Sequence, residues 1–220
     1  MITRTVLIAV MLLLMAGKFA DAQEDKTPLP ADLAYVAEKA EDIIDYYQGG
    51  EWTSALAIVD SMSAREESVE AELRADNLPS SSAYLFDYFL FELRELTRQQ
   101  TQSLQAAITA NQITALLIDA ESHYAHRVPL EISWMDYLGR EIVLLAQYPE
   151  DEMTLHHRIA EIEDTWTKIE ADVNEHNGSA VALEVDAEIS KLLVTDSRPE
   201  MITDANRILE LVDDLEKLYP

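Results

Sequence analysis

From residue 32 onward, apolar positions recur every three or four residues, in segments divided by glycine, proline and asparagine. That period marks helices with one buried stripe. Two segments carry it without a break. Ala106, Ala110, Ile113, Leu117, Ala120 and Tyr124 step by 4,3,4,3,4, and so do Met201, Ala205, Ile208, Val212, Leu215 and Tyr219. The same two segments are alike in sequence. Residues 110–124, ANQITALLIDAESHY, and 205–219, ANRILELVDDLEKLY, share Ala110/Ala205, Asn111/Asn206, Ile113/Ile208, Leu116/Leu211, Asp119/Asp214, Glu121/Glu216 and Tyr124/Tyr219 at one constant offset. Identity at that density implies an internal duplication, which has to be settled before the fold.

Read on this basis, the chain divides into helices in two rounds. The first round predicts a helix over 32–48, stopped by Gly49-Gly50. A second runs over about 52–76 on the seam Trp52, Ala55, Val59, Met62, Glu66, Val69 and Leu73. A third, 84–100, carries the aromatic run YLFDYFLF, and a fourth covers 102–127. After Pro129 the order repeats. A helix over 130–147 places Tyr137 and Tyr148 opposite Tyr35 and Tyr46. Leu155, Ile159, Ile162, Trp166, Ile169 and Val173 form the next seam, up to Asn177-Gly178. A shorter helix over 179–193 follows. Ser197, Pro199 and Glu200 read as cap, early-turn proline and capping-box acid of the last helix. No stretch alternates as a strand does, and the chain holds only 5 glycines. The predicted fold is all-α: a tandem duplication of an antiparallel four-helix unit, 32–128 and 129–220, forming an elongated bundle.

The run Asp136-Tyr137-Leu138-Gly139-Arg140-Glu141, together with the paired Ala-Asn-x-Ile helices at Ala110 and Ala205, resembles a group of exported bacterial all-helical proteins with no assigned activity. The resemblance implies a helical fold and an envelope location, and it brings no catalytic residue with it.

The beginning of the chain points the same way. Arg4, the apolar run Val6–Ala16 and the small-x-small site Ala20-Asp21-Ala22 make a signal peptide over 1–22, cut after Ala22, with 23–31 as a linker. The rival reading is an uncleaved anchor, although eleven apolar residues are short for a bilayer. The expected product is soluble and periplasmic or secreted. Removing Arg4, Lys18 and Asp21 from totals of 16 basic and 42 acidic residues leaves 14 against 41, a formal charge of −27. Such a surface repels nucleic acid and anionic membrane and attracts cations, and a saline habitat would favour it too. The chain has no cysteine, so neither disulfides nor thiolate chemistry are available.

Candidate chemistry is sparse. Asp119, His123 and His126 would share one face of a helix running to residue 127. Carboxylate plus imidazole there suits zinc, copper or ferrous iron; a solvated flank explains the spacing equally. His156 and His157 flank another seam, paired at i,i+4 with Glu152 and Met153, and are read either as ligands or as solvated surface. Glu66 interrupts an apolar seam where a core carboxylate is costly unless paired or protonated. It is either a possible buried acid or an edge residue reaching water. The aromatics Tyr84, Phe86, Tyr88, Phe89 and Phe91 cover more than one face, so some must meet the other unit, a partner or an apolar ligand. Contact between units is the simplest of these, and Tyr84, Tyr88 and Phe91 are the candidates for a partner surface. Ile118 faces Asp213 at the duplication offset, which predicts a partly exposed position where Asp is cheap. No phosphate loop, nucleophile elbow, His-Glu-x-x-His or haem motif is present. The function expected is a non-enzymatic binding module in the cell envelope with a protein partner. The alternative is a periplasmic protein that binds or buffers a transition metal.

Overall fold

The computed structural model describes residues 26–74, 78–79, 81–148 and 151–219. The proposed signal region 1–22 lies outside them, as do 23–25 of the linker. Among the described residues the chain is all-helical, with α1 (Ala31–Gln48), α2 (Trp52–Ser63), α3 (Glu66–Arg74), α4 (Ser81–Gln99), α5 (Ser103–Glu121), α6 (Leu130–Ala146), α7 (Glu152–Glu175), α8 (Ser179–Leu192) and α9 (Arg198–Glu216). None of these helices is long and apolar enough to cross a membrane.

Local chemistry sets most of the boundaries. Gly50 takes φ +70° after α1, which lets Glu51 N–H reach Tyr46 O at 2.8 Å and Gly50 N–H reach Tyr47 O. That pair of bonds satisfies the last carbonyls of the helix. Asn177 does the same after α7 at φ +65°, with Gly178 N–H bonded to Val173 O at 2.9 Å. At α9, Pro199 sits in the first turn as expected, but the Ser197 side chain makes no capping bond, and Glu200 accepts from the Thr195 hydroxyl instead. The α6 C-terminus is held from a distance. Arg198 Nη1 donates to the carbonyls of Leu145, Ala146 and Tyr148.

Two boundaries differ from the sequence expectation. The helix predicted over 52–76 is broken at Ala64-Arg65. Arg65 lies over the Tyr35 ring, 3.6 Å from its centroid, and bonds Ser61 O, while Glu66 opens α3. An acid in a first turn is favoured by the helix dipole. The helix predicted over 102–127 stops at Glu121, and the chain then turns through 122–129. Here the linker is strapped on: Lys26 Nζ donates to Ser122 O at 2.7 Å, and Ala125 N–H donates to Thr27 O at 2.8 Å.

Burial on two sides of α5 joins the two halves. In the first half α1 packs along α5 and against α2, while α4 packs against α5, α2 and α3. In the second, α6 packs along α9 and against α7, and α8 packs against α9 and α7. Between the halves α5 lies on α6. Each half has its own apolar cluster, but the junction residues are exchanged. Ala115 and Ile118 of α5 belong to the second cluster, and Leu144 of α6 belongs to the first. Ile118 is therefore buried, 3% exposed, which corrects the expectation of a partly exposed site. The small residues Ala106, Ala107, Ala110, Ala115 and Ala120 let neighbours approach α5 closely on both faces.

Ile118→Asp places an unpaired carboxylate in the second core. It should destabilise the chain more than Ile113→Ala, itself expected to cost about 2–5 kcal/mol. Asp213→Ala, at the exposed counterpart, should stay within about 0.5 kcal/mol. Urea melts of the three variants give the order, and a milder Ile118→Asp would mean that the second face of α5 is open.

Candidate functional site

On α4, residues spaced at 4 and 3 build two opposite faces. Ala83, Phe86, Leu90 and Leu93 enter the first core. On the other side Tyr84, Tyr88 and Phe91 form a stripe, exposed at 68%, 39% and 56%. The Tyr88 ring meets the edge of Phe89 at 5.6 Å. Acidic side chains flank the stripe, with Asp87 exposed and Glu92 and Glu95 half-buried. The expectation that these aromatics bind the two halves together is corrected. The second half is reached through α5, which lies between α4 and α6.

The metal-ligand candidates fare differently from their spacing. Because α5 ends at Glu121, Asp119 is on the helix while His123 and His126 lie in the following turn, off the common face that would align three ligands. Burial raises the Asp119 pKa and the neighbouring His123 pulls it back. His156 and His157 are exposed on α7, each beside a carboxylate of its own, Glu152 at 3.8 Å and Glu161 at 3.3 Å. Among the described residues, the one trio of potential ligand side chains that converges is Glu66, Glu70 and Asp87, without a histidine. Glu66 is not an enclosed acid. Its side chain keeps a quarter of its exposure and faces Arg94 at 3.6 Å, and its pKa is raised first by burial and then by Asp87.

Sequence reasoning missed the polar groups at the junction, all of them on or around the Asp136–Glu141 run. Glu141, 2% exposed, accepts from Asn111 Nδ2 at 2.8 Å and Gln112 Nε2 at 3.2 Å. Asn111 also reaches Tyr137 O at 3.3 Å. Burial holds the Glu141 carboxyl above the ordinary range, against the pull of buried Arg158 and the Asn111 bond. One step round α6, Arg140 pairs with Asp136 and lies 3.6 Å from Glu41 of α1. Burial pushes Glu121 up to about 7. Glu41 reaches about 7 as well, by burial and its acidic neighbours against Arg140. Gly139 faces the remaining side: a Cβ there would stand 2.7 Å from the Leu209 side chain of α9. A signal for Glu141 did exist, since it stands directly ahead of Ile142-Val143-Leu144-Leu145-Ala146, more than a full turn that is apolar on every side.

Comparison with protein-family models, with curated proteins and with solved structures found no match to this chain.

The paired asparagines give a direct test of the junction. Asn111→Ala leaves the Glu141 carboxylate without its nearest donor and should cost about 1–3 kcal/mol, whereas Asn206→Ala, on the exposed counterpart, should stay within about 0.5 kcal/mol. Denaturant melts compare them directly. A second test uses pH. With the folded pKa of Glu121 raised from 4.5 to about 7, the folded chain binds more protons than the unfolded one between those values. This contribution is complete below about pH 4.5 and is lost as pH rises through about 7. The melting temperature should therefore fall from pH 5 to pH 8, and Glu121→Gln, which fixes the neutral form, should flatten that fall.

Proposed function

We propose that this chain is an exported, non-enzymatic interaction module of the cell envelope, built from a tandem duplication of a four-helix unit, and that α4 carries its docking stripe. Several observations support the duplication. The order of neighbours is alike in both halves, apart from the break that splits one helix of the first half into α2 and α3. Thus α1 lies on α5 as α6 on α9, α4 on α5 as α8 on α9, and α2–α3 between α1 and α4 as α7 between α6 and α8. Ala106, Ala110, Ile113, Leu117 and Ala120 are buried, and so are Met201, Ala205, Ile208, Val212 and Leu215. The tyrosines that follow α5 and α9 also act alike. Tyr124 OH donates to Glu72 on α3 and Tyr219 OH to Asp172 on α7.

The observation that carries the binding role is the stripe Tyr84, Tyr88 and Phe91. Large aromatics aligned on one face of a helix whose other face is already in the core contribute nothing to that core. A contiguous patch of this kind marks an interaction site. Its acidic flanks define the partner as a protein with an apolar groove rimmed by basic groups, since charge complementarity at a rim sets register and encounter rate. Duplicated amphipathic units present surfaces of this type without a catalytic cleft. An envelope location agrees with the signal-like start of the sequence.

A photo-crosslinking residue placed at Tyr84 or Phe91, in the organism's own envelope, should give one discrete adduct with a second protein. The same residue at exposed Met153 or Leu183 should not. Tyr84→Ser combined with Phe91→Ser should abolish co-purification of that protein and leave the melting temperature nearly unchanged. Adducts of equal yield from all four positions, or none, would overturn the reading.

A further inference from the structure

The distribution of positive charge singles out a second site, where the turn after α5 meets α6 and α7. Apart from Arg4 and Lys18, the 16 lysines and arginines all lie among the described residues. Ten of these are ion-paired: Lys39, Arg65, Arg74, Arg94, Arg98, Arg140, Arg158, Lys191, Arg207 and Lys217. Lys26 and Arg198 are spent on backbone carbonyls. Two remain without an ion pair among the described residues, Arg127 and Lys168, and both line the same open groove of about 410 Å3. In a chain with 42 acidic residues, two cations with neither a carboxylate nor a carbonyl partner among the described residues, both on one concave surface, require an explanation.

The groove has a built interior. Its floor is Ile169 and Tyr219, both buried. The Tyr219 hydroxyl is tied to Asp172 Oδ2 at 2.5 Å, and its ring lies against the His176 ring at 4.6 Å. His176 Nδ1 donates in turn to the Asp172 carbonyl at 2.9 Å, so the aromatic pair is fixed from both ends. Glu131 and Asp172 also border the groove, and with Arg127 and Lys168 they bring its formal charge to zero. Arg127 also borders a neighbouring groove with Asp213, Glu216 and Lys217, and it lowers the pKa of Glu216.

We propose that this groove binds a small monocarboxylate with an apolar or aromatic skeleton, a site separate from the protein-docking stripe. The carboxylate lies between Arg127 and Lys168, whose charge-assisted hydrogen bonds are the strong ones. The skeleton rests on Ile169 and the Tyr219–His176 pair, which offer an apolar face with a polar edge. A doubly charged phosphate fits less well, because Glu131 and Asp172 stand close enough to repel the additional charge. On a surface of this net charge, a neutral groove repels an anion less than the acidic faces around it do.

Isothermal titration of the purified chain at low salt tests the assignment with benzoate, hexanoate, benzamide and inorganic phosphate as probes. Benzoate or hexanoate should bind with a dissociation constant of about 1 mM or tighter, and benzamide and phosphate should bind at least about tenfold more weakly. Arg127→Gln combined with Lys168→Gln should weaken the carboxylate at least about tenfold, and Lys191→Gln combined with Arg207→Gln should not. Both groove cations are exposed, so melting curves of the double variant should match the parent. Lys168→Glu provides an independent variant with the same expected loss. Absence of carboxylate binding, equal binding of benzamide or phosphate, or affinity indifferent to Arg127 and Lys168 would each overturn the proposal.

Discussion

A helix buried on two faces is the constraint on which this structure depends. Most helices here need one apolar stripe, and α1, α4, α7, α8 and α9 have one. For α5 the requirement is doubled, because it closes the first core with Ile113 and Leu117 and enters the second with Ala115 and Ile118. Such a helix has little room for charge, and between Leu104 and Ile118 it has none. Of its polar residues there, Thr109, Asn111 and Thr114 are buried as well, and Gln105 and Gln112 are half-buried. Everything that joins the halves follows from this. Ala115 and Ile118, which enter the second core, and the amide donors offered to Glu141 both come from the side of α5 that an ordinary amphipathic helix would give to water.

The hexapeptide from Asp136 to Glu141 is the complementary surface. Tyr137 and Glu141 turn toward Gln112 and Asn111 of α5, Arg140 holds Asp136 and lies near Glu41 of α1, and Gly139 presents bare backbone to Leu209 of α9. A glycine in mid-helix weakens the helix by about 1 kcal/mol relative to alanine. Here its missing side chain is what lets α9 close on α6. The buried carboxylates nearby oppose stability when charged, and hydrogen bonds and arginines offset part of that penalty.

How much of this could be read in the sequence depends on whether the cause was local. Gly49-Gly50 and Asn177-Gly178 end helices through their own backbone freedom, so both ends were legible. The seams were legible because burial repeats with the helical period. The break at Ala64-Arg65 carries no glycine or proline, and it depends on Arg65 finding the Tyr35 ring, a contact made across space. The end of α5 at Glu121 is similarly unmarked, and misplacing it put His123 and His126 on a helix they do not share. Ile118 was misjudged for a related reason. Its counterpart Asp213 is exposed because, among the described residues, no helix covers α9 on that side. The partners of Glu141 lie about thirty residues away, beyond the reach of any periodic pattern.

The exchange at the junction also bears on what the molecule does not do. A surface that lets one four-helix unit stack on the next is a head-to-tail surface, and repeated between molecules it would grow open fibres. On the proposed duplication, the positions that join α5 to α6 have counterparts on the two outward helices. Leu144 corresponds to Asp42 on α1, and Ala115 and Ile118 correspond to Glu210 and Asp213 on α9. All three counterparts are exposed acids. Two molecules brought end to end would set Asp42 against Glu210 and Asp213, like charges with no apolar residue to exchange. On that duplication, the acids at these three positions would oppose an end-to-end copy of the contact that holds the halves together.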